Sequence, residues 1–370
     1  MLSTKTRAVT LSAAFASTLA LAACGASNEG GSSDSAGAAS SEEQLSGTLN
    51  GAGASSQQAA MQGWTAGYSS IQPDVTVNYD PVGSGGGREQ FIAGGVDFAG
   101  SDAALKDDEL TDAEARCGSA GVFELPDYIS AIAVVYNLPG VDDLNLSPDT
   151  LAGIFTGAIT TWNDPAIAAD NSGVDLPSTT ITPVHRADDS GTTTNFTSYL
   201  NAAAPSVWTN EADGEWPLSG GEAANQTSGM VSAVQAGEGA IGYADESQAG
   251  DLGVANIGVG SEFVAPSPEA AAAVVENSEL QSGRGEFDFA YDINRTTTSA
   301  DEYPIVLVSY HIGCVSYDDA TQADLVKSFL NYVISEDGQQ AAADAAGSAP
   351  ISDSLREQAQ TAVDAITSGS

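Results

Sequence analysis

From Leu45 onward, short apolar runs alternate with longer stretches whose apolar positions recur at helical spacing. The first pattern fits a buried strand and the second an amphipathic helix. Thr48-Leu49-Asn50-Gly51 is strand-like and leads into a helix with Met61, Trp64, Tyr68 and Ile71 on one face. Residues 75–79 read as a strand, Gly87 opens a helix that runs to Ile92, and residues 96–99 are strand-like again. Residues 122–138 are long and rich in β-formers, and Pro126 is expected to break them where the chain passes from one domain to another. A second set of elements includes Val184 and residues 239–244, with flanking helices. Residues 303–310 read as a return strand, and the helix after them buries Leu325, Val326, Phe329, Leu330, Val333 and Ile334. This order predicts an α/β architecture with a largely parallel sheet, in two lobes whose crossings leave a cleft between them.

The N-terminus has a different pattern. Lys5 and Arg7 precede an apolar run over residues 8–23, which is short for a membrane span and ends in small residues. Residues 1–23 therefore read as a secretion signal. Leu21-Ala22-Ala23-Cys24 resembles the lipobox of bacterial lipoproteins, in which the cysteine is lipidated and becomes the first mature residue. Residues 24–44 would be the lipidated Cys24 and a Gly/Ser tether. No later segment is long and apolar enough to span a bilayer, so the body is expected to be soluble and tied by lipid to the outer face of the membrane.

With 370 residues the chain is long enough for two domains, and 42% hydrophobic content reads as folded protein. Ten Lys and Arg stand against fifty Asp and Glu, a formal charge of −40 that becomes −42 once Lys5 and Arg7 leave with the leader. No basic stripe exists to neutralise phosphodiesters, so a nucleic-acid partner is excluded. The acidity fits a solvated surface in a salty or extracellular medium. Beyond Cys24, the cysteines are Cys117 and Cys314. An even count in an exported chain makes a disulfide the default, and two sulfurs without clustered His make a poorer zinc site.

The densest chemistry lies in Ile181-Thr182-Pro183-Val184-His185-Arg186-Ala187-Asp188-Asp189-Ser190-Gly191-Thr192, a strand that ends on an arginine and turns into a helix. Ser190 stands at the N-cap, so Gly191 and Thr192 present free N–H groups at the positive end of the helix dipole. Arg186 adds a planar fork for two oxygens of one anion, and Asp188 can hold the guanidinium in place. Three further strand-end loops share this character: Gly51-Ala52-Gly53-Ala54-Ser55-Ser56, Gly83-Ser84-Gly85-Gly86-Gly87 with Ser84 as a second candidate N-cap, and Gly100-Ser101-Asp102. Ligands of open α/β sheets bind outside such strand ends.

Other chemistries fit less well. Arg88 and Ser56 stand where a dinucleotide fingerprint wants its third glycine, and no Gly-x-x-x-x-Gly-Lys-Ser/Thr occurs. His185 and His311 are the two imidazoles, and neither Ser84 nor Ser190 sits in a Gly-x-Ser-x-Gly elbow. His185, next to Arg186 in a strand, points to the opposite face and reads as a core or surface residue. Asp107-Asp108 reads as a solvated helix start. An exported phosphatase would need a nucleophile or metal pair that this sequence does not assemble, and no cofactor or metal is expected.

Together with Asp97-Phe98-Ala99-Gly100-Ser101-Asp102, Tyr136-Asn137-Leu138-Pro139-Gly140, Ile154-Phe155-Thr156-Gly157 and Thr161-Trp162-Asn163-Asp164, these loops resemble the phosphate-binding proteins of bacterial high-affinity phosphate ABC transporters. The resemblance runs in the family's order from about Leu45 to near the end. It implies a type II periplasmic-binding-protein fold with residues 45–128 and 303–370 in one lobe and 129–302 in the other. It implies phosphate contacts from Ser55, Ser56, Ser84, Asp102, Arg186, Ser190, Gly191 and Thr192, with Asp188 supporting Arg186. Inorganic phosphate and transmembrane permease subunits would be the partners, with sulfate or molybdate as the alternative cargo. Two positions depart from the family: Ser56 replaces an aromatic wall, and Asp189 replaces a glycine and is expected to point to solvent.

Overall fold

The apolar runs assemble into one nine-stranded sheet. In the computed structural model, which describes residues 44–369, its strands are β1 (Gly47–Gly53), β2 (Val75–Asp80), β3 (Phe98–Ser101), β4 (Val122–Tyr136), β5 (Thr182–Arg186), β6 (Glu222–Ala224), β7 (Ala240–Asp245), β8 (Gly253–Val254) and β9 (Val306–Cys314). The order is β2-β1-β3-β9-β4-β7-β5-β6, with β8 also on β4. The helices that position the site are α1 (Gln58–Ile71), α2 (Ser84–Ile92), α3 (Asp107–Cys117), α4 (Pro148–Phe155), α5 (Pro165–Asp170), α6 (Gly191–Ala203) and α7 (Gln226–Ala236). The expected signal, Cys24 and the tether up to residue 43 lie outside the described residues.

The sheet is mixed, where the sequence predicts a largely parallel one. Its two ends are parallel: β1 lies between β2 and β3, and β5 between β6 and β7. Its middle is antiparallel, because β9 pairs with β3 and β4, and β4 pairs with β7. The cause is the connectivity. Within each end, strands return through helical crossovers and so run parallel, whereas β4 carries the chain out of one end and β9 carries it back alongside. Residues 122–131 of β4 pair with β9, and residues 132–136 pair with β7. One strand thus serves both ends of the sheet, and all fifteen of its residues are buried.

Pro126 does not break β4. Pro126 faces Tyr310 while Tyr128 faces Ser309, which leaves Asp127 as the extra residue of a bulge. A bulge relieves the ladder where proline has no N–H to give. The displaced Asp127 turns its carboxylate to His311 on β9, Oδ2 to Nδ1 2.7 Å, with both side chains fully enclosed.

Met61, Trp64 and Tyr68 are buried on α1, but Ile71 is 38% exposed as the last helical residue before the turn into β2. The six apolar residues expected inward on the helix at Ala320–Ile334 are all buried. Helix α2 starts at Ser84, three residues before the expected Gly87, with Gly83 at its N-cap at φ 99° and no side-chain cap. Ser84 is accordingly the first helical residue and not the cap. Cys117 at the end of α3 and Cys314 at the end of β9 form a disulfide with Cα atoms 5.2 Å apart, across a separation of 197 residues.

Candidate functional site

Four strand-end loops meet around Asp102. They can approach because their glycines leave no room for side chains: a Cβ on Gly53 would lie 1.9 Å from the Gly100 carbonyl oxygen, and one on Gly191 would lie 2.7 Å from Ser84 Oγ and 2.8 Å from Asp102 Cβ. The start of α6 is thereby pressed onto the loops that follow β3 and precede α2.

Asp102 is the hub of this cluster and is 3% exposed. Ser56 Oγ donates to its carboxylate at 2.7 Å, Ser309 Oγ at 2.7 Å and Thr192 Oγ1 at 2.9 Å. Burial raises the Asp102 carboxyl above its ordinary pKa, against the opposing pull of these three hydroxyls and of the Arg186 charge. Three hydroxyl protons on a carboxylate with about four lone-pair sites leave it able to accept one more. Asp102 also donates its backbone N–H to Ser84 Oγ at 3.1 Å. Ser84 therefore acts as an acceptor there, and its own O–H remains a donor.

Ser190 caps α6 as the sequence predicts, accepting from Thr193 N at 3.3 Å. The N–H groups of Gly191 and Thr192 have no intrahelical acceptor and sit at the positive end of the dipole. Arg186, 3% exposed at the end of β5, donates from Nε to Asp188 Oδ1 at 2.8 Å and from Nη2 to Asp188 Oδ2. The pairing predicted between these two residues is present, and it leaves Arg186 with further N–H groups to offer. Gln226 N donates to Asp188 Oδ1 at 3.0 Å from a left-handed backbone, φ 61°. That conformation costs a non-glycine residue energy and turns the start of α7 toward the cluster.

Ser55 does not reach Asp102. Its Oγ accepts from Thr227 N at 3.0 Å and lies 3.0 Å from Thr227 Oγ1, while Gln248 Nε2 donates to the carbonyls of Ser55 at 3.1 Å and Ser56 at 3.2 Å. Ser55, Ser56, Ser84, Asp102, Arg186, Ser190 and Thr192 are all buried.

Asp189 does not point to solvent as expected. Its side chain is 30% exposed, with Oδ1 3.6 Å from the guanidinium of Arg88, and a Cβ on Gly85 would fall 2.4 Å from its Cγ. The extra acid is thus set against a buried arginine of α2, which also bonds Glu109 at 2.9 Å and Ser101 Oγ at 3.0 Å. His185 stacks on Trp216, ring centroids 5.1 Å apart, away from the cluster.

Sequence reading missed Ser309, Thr227 and Gln248. Ser309 carried one signal, a single serine in the apolar run of the return strand. Thr227 and Gln248 carried none, since they enter only through folding.

A model described as the PBP superfamily domain matches residues 38–337. The phosphate-binding protein PstS 2 of Mycobacterium tuberculosis is 36% identical over 362 residues, which cover 95% of this chain and 96% of the relative. PstS 3 of the same species is 37% identical over 358 residues, again 95% and 96%. Among solved structures, a high affinity periplasmic phosphate-binding protein (PfluDING) bound with phosphate has a TM-score of 0.69 at 24% identity, covering 85% of this chain and 93% of its own. A phosphate binding protein from Stenotrophomonas maltophilia has a TM-score of 0.65 at 19% identity, covering 85% and 94%. These structural likenesses give the fold, the two-lobed α/β periplasmic-binding-protein fold expected from the sequence. The relatives at 36% and 37% identity across nearly the full length of both chains give the lineage, and the chain belongs to the phosphate-binding protein family of the PBP superfamily.

Proposed function

We infer that the protein binds inorganic phosphate between two lobes, outside the cytoplasm, and delivers it to the membrane subunits of an ABC importer. The observation that carries this reading is one buried carboxylate, Asp102, held among hydroxyls beside the start of α6 and the buried Arg186. A dianion can be held here by neutral N–H and O–H dipoles and one guanidinium, without a net positive protein. Phosphate near neutral pH still owns a proton, which Asp102 can accept. Sulfate owns none and brings an oxygen against the carboxylate.

The contacts are assigned to Ser55, Ser56, Ser84, Asp102, Arg186, Ser190, Gly191 and Thr192, with Asp188 holding Arg186. The lobes are residues 45–128 with 303–370, and 129–302. Residues 1–23 are a signal, and lipid on Cys24 anchors the protein. No turnover is part of this function.

Calorimetry with phosphate and with sulfate, beside a chromogenic phosphate ester, tests the reading. Tight phosphate binding, much weaker sulfate binding and no ester cleavage are expected. Equal binding of sulfate overturns the cargo, and ester turnover makes the protein an enzyme. Replacing Cys24 with Ser should release the protein from the membrane fraction.

A further inference from the structure

Asn195 lies one turn into α6 and is 8% exposed. Its Nδ2 donates to the Asp102 carbonyl oxygen at 2.6 Å and to the Gly191 carbonyl oxygen at 2.9 Å, and its Oδ1 accepts from Arg295 Nη2. The amide has one possible orientation: a guanidinium can only donate and a carbonyl can only accept. Arg295 is 7% exposed and also donates from Nη1 to the carbonyls of Pro304 at 3.0 Å and Val306 at 2.7 Å. Among the described residues no carboxylate lies within ion-pair distance of it. A buried guanidinium without an acid is costly, and an apolar side chain of like size would fill the space at lower cost. What the arginine provides is direction: it pins Asn195 so that both amide protons face Asp102 and Gly191.

On the lobe division proposed above, Asp102 and Asn195 belong to opposite lobes. The bond between them can persist only while the lobes are together. Both of Asn195's donor protons are used on backbone carbonyls, so it acts on the site through Asp102 and the first turn of α6.

We propose that Asn195, oriented by Arg295, is a positioning residue that latches the Asp102 loop to the start of α6 and sets how fast bound phosphate leaves. The inference rests on the phosphate-binding reading. Asn195→Asp keeps the shape and the Arg295 contact while removing both donors, and Arg295→Met removes the orienting charge. In the full-length protein, release of radiolabelled phosphate into excess unlabelled phosphate gives the off-rate, and calorimetry gives the affinity.

Off-rates about tenfold faster are expected in each variant, as for loss of one buried hydrogen bond, with on-rates within about twofold of wild type. The double variant should release no faster than Asn195→Asp alone, because the two residues act as one unit. The melting temperature of ligand-free Asn195→Asp should stay near that of wild type, which separates latching from folding. Wild-type off-rates in a phosphate-binding Asn195→Asp protein overturn the latch and leave the function standing. Losses that appear in the on-rate, or that add in the double variant, overturn it too. A wild type that binds no phosphate removes the functional reading itself, and the latch with it.

Discussion

Arg186 has its charge enclosed and its orientation set by Asp188, which in turn is held by the Gln226 N–H. Removing the guanidinium takes a cation from the site and leaves a half-paired acid behind. Arg186→Ala is expected to weaken phosphate binding by roughly 3–5 kcal/mol, the range for breaking a buried charge pair; unchanged affinity by calorimetry would refute the site assignment. Asp102 is expected to control selectivity. Asp102→Asn supplies an N–H₂ where the acid can only accept, so the phosphate-to-sulfate affinity ratio should drop about tenfold or more, chiefly through better sulfate binding. Competition titrations read that ratio directly. At this scale the sequence was informative wherever chemistry is local: Ser190 as a cap, and Arg186 two residues from Asp188. It failed where a partner arrives from afar. Ser309 reaches Asp102 from 207 residues away, and Asp189 meets Arg88 across the cluster, so neither contact can be read from its neighbours in the chain.

Strands and helices were legible because periodicity reports which face is buried, and the face rarely depends on which strand lies alongside. Pairing direction depends on that neighbour, which is why the antiparallel centre of the sheet was not foreseen and why Pro126 signalled a break where a bulge suffices. The meeting of β4 and β7 also buries Asp245 completely. Tyr128 OH donates to it at 3.0 Å and Ser247 N at 3.1 Å, yet burial, with a smaller push from the Asp102 charge, moves its carboxyl from 3.8 up to about 7. A carboxyl whose pKa is raised by folding binds its proton more tightly in the folded chain. Its contribution is therefore complete below about pH 4 and is lost as pH rises toward 7, by roughly 1.4 kcal/mol per pH unit for one site. Urea midpoints should fall between pH 5 and pH 8 more steeply in wild type than in Asp245→Asn, which has no proton to lose there. Parallel curves would show that Asp245 titrates normally.

The whole molecule combines an anion site with a formal charge of −40. Fold class was legible from element order, and the lineage from the order of the loops, because both are properties of the chain read end to end. The field at the cleft was not legible, since it depends on which charges fold beside one another. Folding places Arg186 against Asp188, Arg88 against Glu109 and Lys106 against Asp213, so these three basic groups near the cluster are each countered by an acid, and Arg295, which is not, is buried and spent on the carbonyls of Pro304 and Val306. No positive funnel results, and an approaching phosphate dianion meets a repulsive outer field before it meets short-range dipoles. Salt screens the exposed charges beyond about 8–10 Å near physiological strength, while leaving the buried donors nearly untouched. The phosphate on-rate should accordingly rise as ionic strength is increased, with the off-rate almost constant, the reverse of a positively steered ligand. Stopped-flow measurements across a salt series check this: an on-rate that falls steeply with added salt would mean that the cleft presents a net positive face to its ligand despite the charge of the chain.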